Sequence, residues 1–115
     1  MDPRWEVADN PDTPPDVLVA LSKVEDDSIL CRVGGNPSTP PDVLAYLAER
    51  KHGPQIYVAR NLSASPDTLT RLSQDKAYWV RWYAAKNPST PYGIWIPVRR
   101  GIGSPLEGVL HVRLF

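Results

Sequence analysis

Val33-Gly34-Gly35-Asn36-Pro37-Ser38-Thr39-Pro40-Pro41-Asp42-Val43-Leu44 is one copy of a unit that the chain carries four times. Each copy places a small residue two positions before an asparagine, then a Thr-Pro or Ser-Pro step, then apolar residues further on. The anchoring asparagines are Asn10, Asn36, Asn61 and Asn87, at intervals of 26, 25 and 26 residues. Eight positions after each stands Leu18, Leu44, Leu69 or Trp95, and eleven positions after it Leu21, Leu47, Leu72 or Val98. A fixed period of this length means stacked units whose core runs continuously from one to the next.

Reading forward from Asn36, Thr39 is a helix cap and Pro40 the first helical residue, where a missing N–H costs nothing. Asp42, three residues after the cap, completes a capping box. Val43, Leu44 and Leu47 follow at helical spacing. Thr13-Pro14-Pro15-Asp16 with Val17, Leu18 and Leu21 repeats the arrangement, and Ser65-Pro66-Asp67 with Leu69 and Leu72 shifts it by one. Each unit therefore carries a helix of about 8–10 residues. Reading backward, a second short helix precedes each asparagine. Its columns are Trp5, Cys31, Ile56 and Trp82; Val7, Val33, Val58 and Ala84; and the small Ala8, Gly34, Ala59 and Ala85. The small column marks close backbone approach, and the larger columns fill the core. The asparagine stops the helix in a left-handed cap, assisted by the proline that follows. About 25 residues is short for a helical hairpin, since comparable repeats need roughly 34–47. One helix of each pair is accordingly expected to be abbreviated or 3₁₀-like. No L-x-x-L-x-L strand segment is visible, and Pro-Pro beside the leucines opposes a strand ladder.

Val58-Ala59-Arg60-Asn61, Ala84-Ala85-Lys86-Asn87-Pro88-Ser89-Thr90-Pro91 and the stretch from Val33 to Leu44 resemble the leucine-rich repeat variant family. The resemblance covers roughly residues 4–98. It implies an all-α fold, a right-handed α-solenoid of about four units with alternating α and 3₁₀ helices, and an interaction scaffold rather than a defined reaction. Some members carry a cysteine-rich iron–sulfur segment. This chain has only Cys31, inside a repeat, so no cofactor carries over. The expected organisation is a solenoid over 1–98 and a C-terminal cap or tail over 99–115.

The 115 residues suit one domain, and 42% apolar content supports a core without a membrane span. Residues 1–6 lack the basic and apolar regions of a signal peptide. One cysteine excludes an internal disulfide, and a cytoplasmic setting is the simplest expectation. Most of the 13 prolines recur at fixed points of the repeat and act as punctuation between elements. Net charge is zero, yet residues 1–57 hold 10 acids against 5 bases and residues 58–115 hold 3 acids against 8 bases. The ends therefore carry −5 and +5, a strong dipole that also allows head-to-tail self-association.

Chemistry-bearing residues are few. Cys31 shares a column with Trp5, Ile56 and Trp82 and reads as a small buried hydrophobe. His52 falls in a loop and His111 in the tail, and a lone Cys with two distant histidines makes no metal site. No hydrolase, zinc-protease or phosphate-loop motif is present, so an enzyme is not expected. Glu25-Asp26-Asp27 is a solvated turn that caps a helix starting near Ser28.

The aromatic cluster is the stronger signal. Tyr78, Trp79, Trp82, Tyr83, Tyr92 and Trp95 lie within 18 residues, interleaved with or flanked by Arg71, Lys76, Arg81, Lys86, Arg99 and Arg100. Positions four and one before each asparagine share a helix face away from the apolar columns. They are Glu6 and Asp9, Arg32 and Gly35, Tyr57 and Arg60, Tyr83 and Lys86. Stacking turns them into two exposed stripes, acidic at the start and basic-aromatic at the end. Tyr57, Arg60, Trp79, Arg81, Tyr83 and Lys86 are the expected contacts to a protein partner, since exposed Tyr, Trp and Arg are enriched at interface hot spots. Nucleic-acid binding by the basic half is the alternative. Zero net charge and an isoelectric point of about 6.7 oppose it. The apolar, β-prone Val109-Leu110-His111-Val112-Arg113-Leu114-Phe115 either folds back as the cap a terminal repeat requires or pairs with another chain.

Overall fold

Proline is the first residue of five of the seven helices among the described residues. The structure, a computed structural model, describes residues 3–50, 53–91, 95–97 and 109–111. The helices are α1 (Pro3–Asp9), α2 (Pro15–Leu21), α3 (Asp27–Gly35), α4 (Pro41–Ala48), α5 (Pro54–Arg60), α6 (Pro66–Leu72) and α7 (Tyr78–Lys86). Pro15, Pro41, Pro54 and Pro66 occupy first-turn positions of α2, α4, α5 and α6. All seven are α-helices of seven to nine residues, which corrects the expected alternation with 3₁₀ helices. Shortness, not a change of helix type, accommodates the 25-residue period. None is long and apolar enough to cross a membrane.

The helices preceding the asparagines pack in sequence, α1 on α3, α3 on α5 and α5 on α7, while α4 packs on α6. Contacts of α2 with α3, α4 with α5 and α6 with α7 join the two rows. Leu18, Leu44, Leu47 and Leu69 are fully buried between the rows, together with Ile29, Leu30, Val33 and Val58. Burying each such side chain stabilises by about 1.5–3 kcal/mol. The column containing Trp5, Cys31, Ile56 and Trp82 is only half-buried, because it sits at the edge of the row rather than between rows.

The small column behaves as its composition requires, with Ala8, Gly34, Ala59 and Ala85 all buried. A Cβ at Gly34 would stand 3.3 Å from Val58 Cγ2 and 3.5 Å from the Pro54 carbonyl oxygen, so α3 and α5 touch through that glycine. Gly34→Ala should gain helix propensity yet still destabilise by about 1 kcal/mol, because the contact must open. Urea denaturation of the variant checks the sign.

The asparagines do more than end helices. Asn36, Asn61 and Asn87 have φ of −80°, −86° and −71° with ψ near 122–125°, extended rather than left-handed. Asn61 precedes Leu62 and adopts the same conformation as the two that precede proline, so proline does not impose it. Each side chain instead reaches back one unit. Asn36 Nδ2 donates to the carbonyls of Ala8 (2.8 Å) and Asn10 (2.9 Å). Asn61 Nδ2 donates to Gly34 (2.8 Å) and Asn36 (2.9 Å), and Asn87 Nδ2 to Ala59 and Asn61 (both 2.9 Å). The Oδ1 atoms accept the backbone N–H two residues on, in Ser38, Ser63 and Ser89. Those serines add a rung, their hydroxyls donating to the carbonyls of Pro11, Pro37 and Leu62 of the preceding unit. The result is a ladder of charge-free hydrogen bonds, its asparagine rungs buried or part-buried and its serine rungs exposed, that fixes the register between units.

Two further expectations need correction. Thr13 and Thr39 do not cap the helices after them. Pro14 and Pro40 hold the cap positions without a side-chain bond, and the threonine hydroxyls donate backward to the carbonyls of Val7 (2.6 Å) and Val33 (2.7 Å). Ser65, where a single proline follows, does cap α6 through Thr68 N–H. The fourth unit departs from the others after Pro91: Trp95–Pro97 is a strand, β1, pairing antiparallel with β2 (Val109–His111), with Ile96 opposite Leu110. The run Gly93-Ile94-Trp95-Ile96-Pro97 is β-branched and aromatic and bounded by breakers, which suits a short strand. Trp95 therefore does not occupy a fourth helix. Val98 and most of the 99–115 cap or tail lie outside the described residues.

Candidate interaction surface

The residue four before an asparagine meets, in the unit before it, the residue one before that unit's asparagine: Arg32 meets Asp9, Tyr57 meets Gly35 and Tyr83 meets Arg60. Arg32 Nη1 donates to Asp9 Oδ2 at 2.6 Å, and its guanidinium lies 4.6 Å from the Trp5 ring centroid. Tyr57 comes next: a Cβ on Gly35 would stand 3.7 Å from its Cδ1, so the ring covers the space that the glycine leaves. Arg60 follows, its guanidinium 5.1 Å from the Tyr83 ring centroid. Lys86 folds over Trp82 of its own helix, 4.9 Å from the ring centroid. The stripe is thus ionic at α1–α3, a tyrosine on glycine at α3–α5, and cation–π at α5–α7.

Helix α3 is started by Asp26, whose carboxylate accepts from the backbone N–H (2.9 Å) and hydroxyl (2.6 Å) of Ser28. The Ser28 hydroxyl holds that carboxyl below its ordinary value. Trp5 Nε1 donates to the same hydroxyl at 3.1 Å, tying α1 to the start of α3. Cys31 is half-buried, and burial together with Asp27 pushes its thiol up, away from reactivity. Among the described residues no three His, Cys, Asp or Glu side chains gather as a metal site requires. His52 lies outside the described residues.

Of the six expected contact residues, Tyr57, Arg60, Trp79 and Lys86 are exposed, Trp79 at 54%. Tyr83 is half-buried, one side against the core and its ring under Arg60. Arg81 is corrected: it is 3% exposed, and its Nη1 donates to the carbonyls of Asp75 (2.8 Å) and Lys76 (3.0 Å). It stands six before Asn87, the place that Leu30 fills before Asn36, so the period puts it inside. There it ties down the turn that leads from α6 into α7. Trp79, Trp82 and Tyr83 form a continuous ring cluster, with centroids 5.7, 5.2 and 6.3 Å apart.

Gly35 leaves a depression in the stripe. A cavity of about 340 Å³ is lined by Asp9, Ser28, Cys31, Arg32, Gly35, Asn36 and Tyr57, and a second of about 250 Å³ by Gly35, Tyr57 and Arg60. Arg32 Nε is buried there without a hydrogen-bond partner among the described residues. Neither Arg60 nor Lys86 has a carboxylate within ion-pair distance among the described residues, whereas Arg32 is held by Asp9 and Arg71 by Glu49 at 2.8 Å. This arrangement can hold carboxylates and flat apolar groups. No family model, no curated protein and no solved structure matches the chain.

Proposed function

We propose that the chain is a non-enzymatic protein-binding module, a small adaptor or inhibitor-like scaffold of the leucine-rich repeat variant type. Its layers wind as a right-handed α-solenoid and present one face of α5 and α7 to a partner. The observation that supports this most is the pair Arg60 and Lys86, each held over an aromatic ring and neither neutralised by a carboxylate among the described residues, beside exposed Tyr57 and Trp79. Cations immobilised on rings lose little further freedom on binding, and exposed aromatics supply contact area cheaply. We place the module in the cytoplasm, where its lone thiol stays reduced.

Tyr83 is half-buried, so a test of the surface avoids it. Trp79→Ala combined with Lys86→Ala should cut partner capture from host lysate by at least about tenfold, the loss of one hot spot. The far-ultraviolet circular dichroism spectrum should be unchanged. Undiminished capture, quantified by mass spectrometry, would assign binding to another face.

A further inference from the structure

We infer that the occupant of this surface is a short acidic segment in polyproline-II conformation, with carboxylates three residues apart. The inference rests on the protein-binding reading and names its partner class. Arg60 and Lys86 occupy equivalent positions on α5 and α7, which pack against each other. Neighbouring packed helices stand about 8–10 Å apart. A polyproline-II chain has three residues per turn and rises about 3.1 Å per residue, so positions i and i+3 share a face at about 9 Å spacing. A β-strand turns i and i+3 to opposite faces and does not fit. The rings between and beside the cations suit the same conformation. Polyproline-II ligands dock on aromatic-lined grooves, and here Tyr83 and Trp82 lie against the two cations while exposed Tyr57, over Gly35, and exposed Trp79, against Tyr83, extend the aromatic surface to either side. A guanidinium covered on one face by a ring keeps its N–H edge free for a bidentate carboxylate.

Charge favours a short segment over a long polyanion. Beyond Arg32 the stripe turns acidic at Glu6 and Asp9, both exposed, so a nucleic acid following the row would meet repulsion after two or three units. A second copy stacked end to end is also disfavoured. Ser38, Ser63 and Ser89 donate their hydroxyls to carbonyls of the unit behind, and the first unit has Asp12 there, whose carboxylate would face such a carbonyl instead.

The test is fluorescence anisotropy of the full chain with labelled peptides of equal length and charge. One carries Glu-Pro-Pro repeats, and the other carries the same residues with the glutamates adjacent. The spaced peptide should bind at least about tenfold more tightly, and Arg60→Gln or Lys86→Gln should each remove most of that preference. Arg71→Gln, the same charge change off the stripe, should leave it intact. Equal binding of the two peptides, tighter binding of a single-stranded oligonucleotide, or a Lys86-dependent dimer by sedimentation would each overturn the inference. If neither peptide binds but the Trp79/Lys86 variant still loses its partner, the acidic occupant is wrong and the interaction surface stands. If both fail, the surface itself is wrong.

Discussion

Asn61→Ala should destabilise the fold by about 3–5 kcal/mol, while Asn10→Ala should change it by less than about 0.5 kcal/mol. The two residues hold the same position in the repeat and differ in what lies behind them. Asn61 is 5% exposed and serves three groups: it donates to the carbonyls of Gly34 and Asn36 and accepts from Ser63 N–H. Alanine leaves the Gly34 carbonyl and the Ser63 N–H without that partner where water enters poorly, at about 1–3 kcal/mol each. It also takes one of two donors from the Asn36 carbonyl, which keeps the Thr39 N–H. Asn10 is exposed, and among the described residues its side chain donates to no carbonyl and accepts only from Asp12 N–H, a bond that water replaces. A domain of this size is stable by about 5–15 kcal/mol, so the loss at Asn61 is a large fraction. Urea titrations followed by circular dichroism measure both. Similar midpoints for the two variants would mean that the ladder contributes little to holding the units together.

Leu44→Ala should cost about 3–5 kcal/mol and Trp82→Ala only about 1–2 kcal/mol, although tryptophan is the larger residue. Leu44 is fully buried between the rows, where its removal leaves a cavity that neighbouring backbones cannot close. Trp82 is half-buried at the edge of its row, with Trp79 and Tyr83 against it and Lys86 over its face. Water and those neighbours fill the space it leaves. Thermal melts of the two variants give the ranking, and a lower melting temperature for Trp82→Ala would place the core on the wrong side of α7.

The repeat period was legible because it is carried by residue size. Ala8, Gly34, Ala59 and Ala85 are small where α-helices touch, and Leu18, Leu44 and Leu69 are apolar where the rows meet. The asparagine ladder was not, because its bonds join residues 25–28 positions apart and have no local signature. One clue was present: Asn61 keeps its asparagine where Leu62 replaces the proline, so helix termination by Asn-Pro was never a sufficient reason for the column. The threonine caps failed for a related reason. A second proline shifts the helix start by one residue, and the freed hydroxyl turns to a carbonyl behind it.

The surface was legible as two columns but not as a set of pairs. Arg32 with Asp9, Tyr57 with Gly35 and Arg60 with Tyr83 become neighbours only when units stack, and the stacking decides which cation remains available. Arg81 was misplaced because arginine reads as surface. Aligning it with Leu30 would have put it inside, where backbone carbonyls replace water around its guanidinium. The strand at Trp95–Pro97 shows the limit of the period: without a second Pro-Asp start, local β preference prevails.

Side-chain amide hydrogen exchange measured by NMR tests the stacked-layer account most directly. The Nδ2 protons of Asn36, Asn61 and Asn87 are bonded to carbonyls of the unit before them, and those of Asn10 are not. The first three should exchange at least about a hundredfold more slowly than Asn10, as buried hydrogen-bonded groups do. Four asparagines exchanging at one rate, that of solvent-exposed amides, would contradict the ladder and the register it imposes.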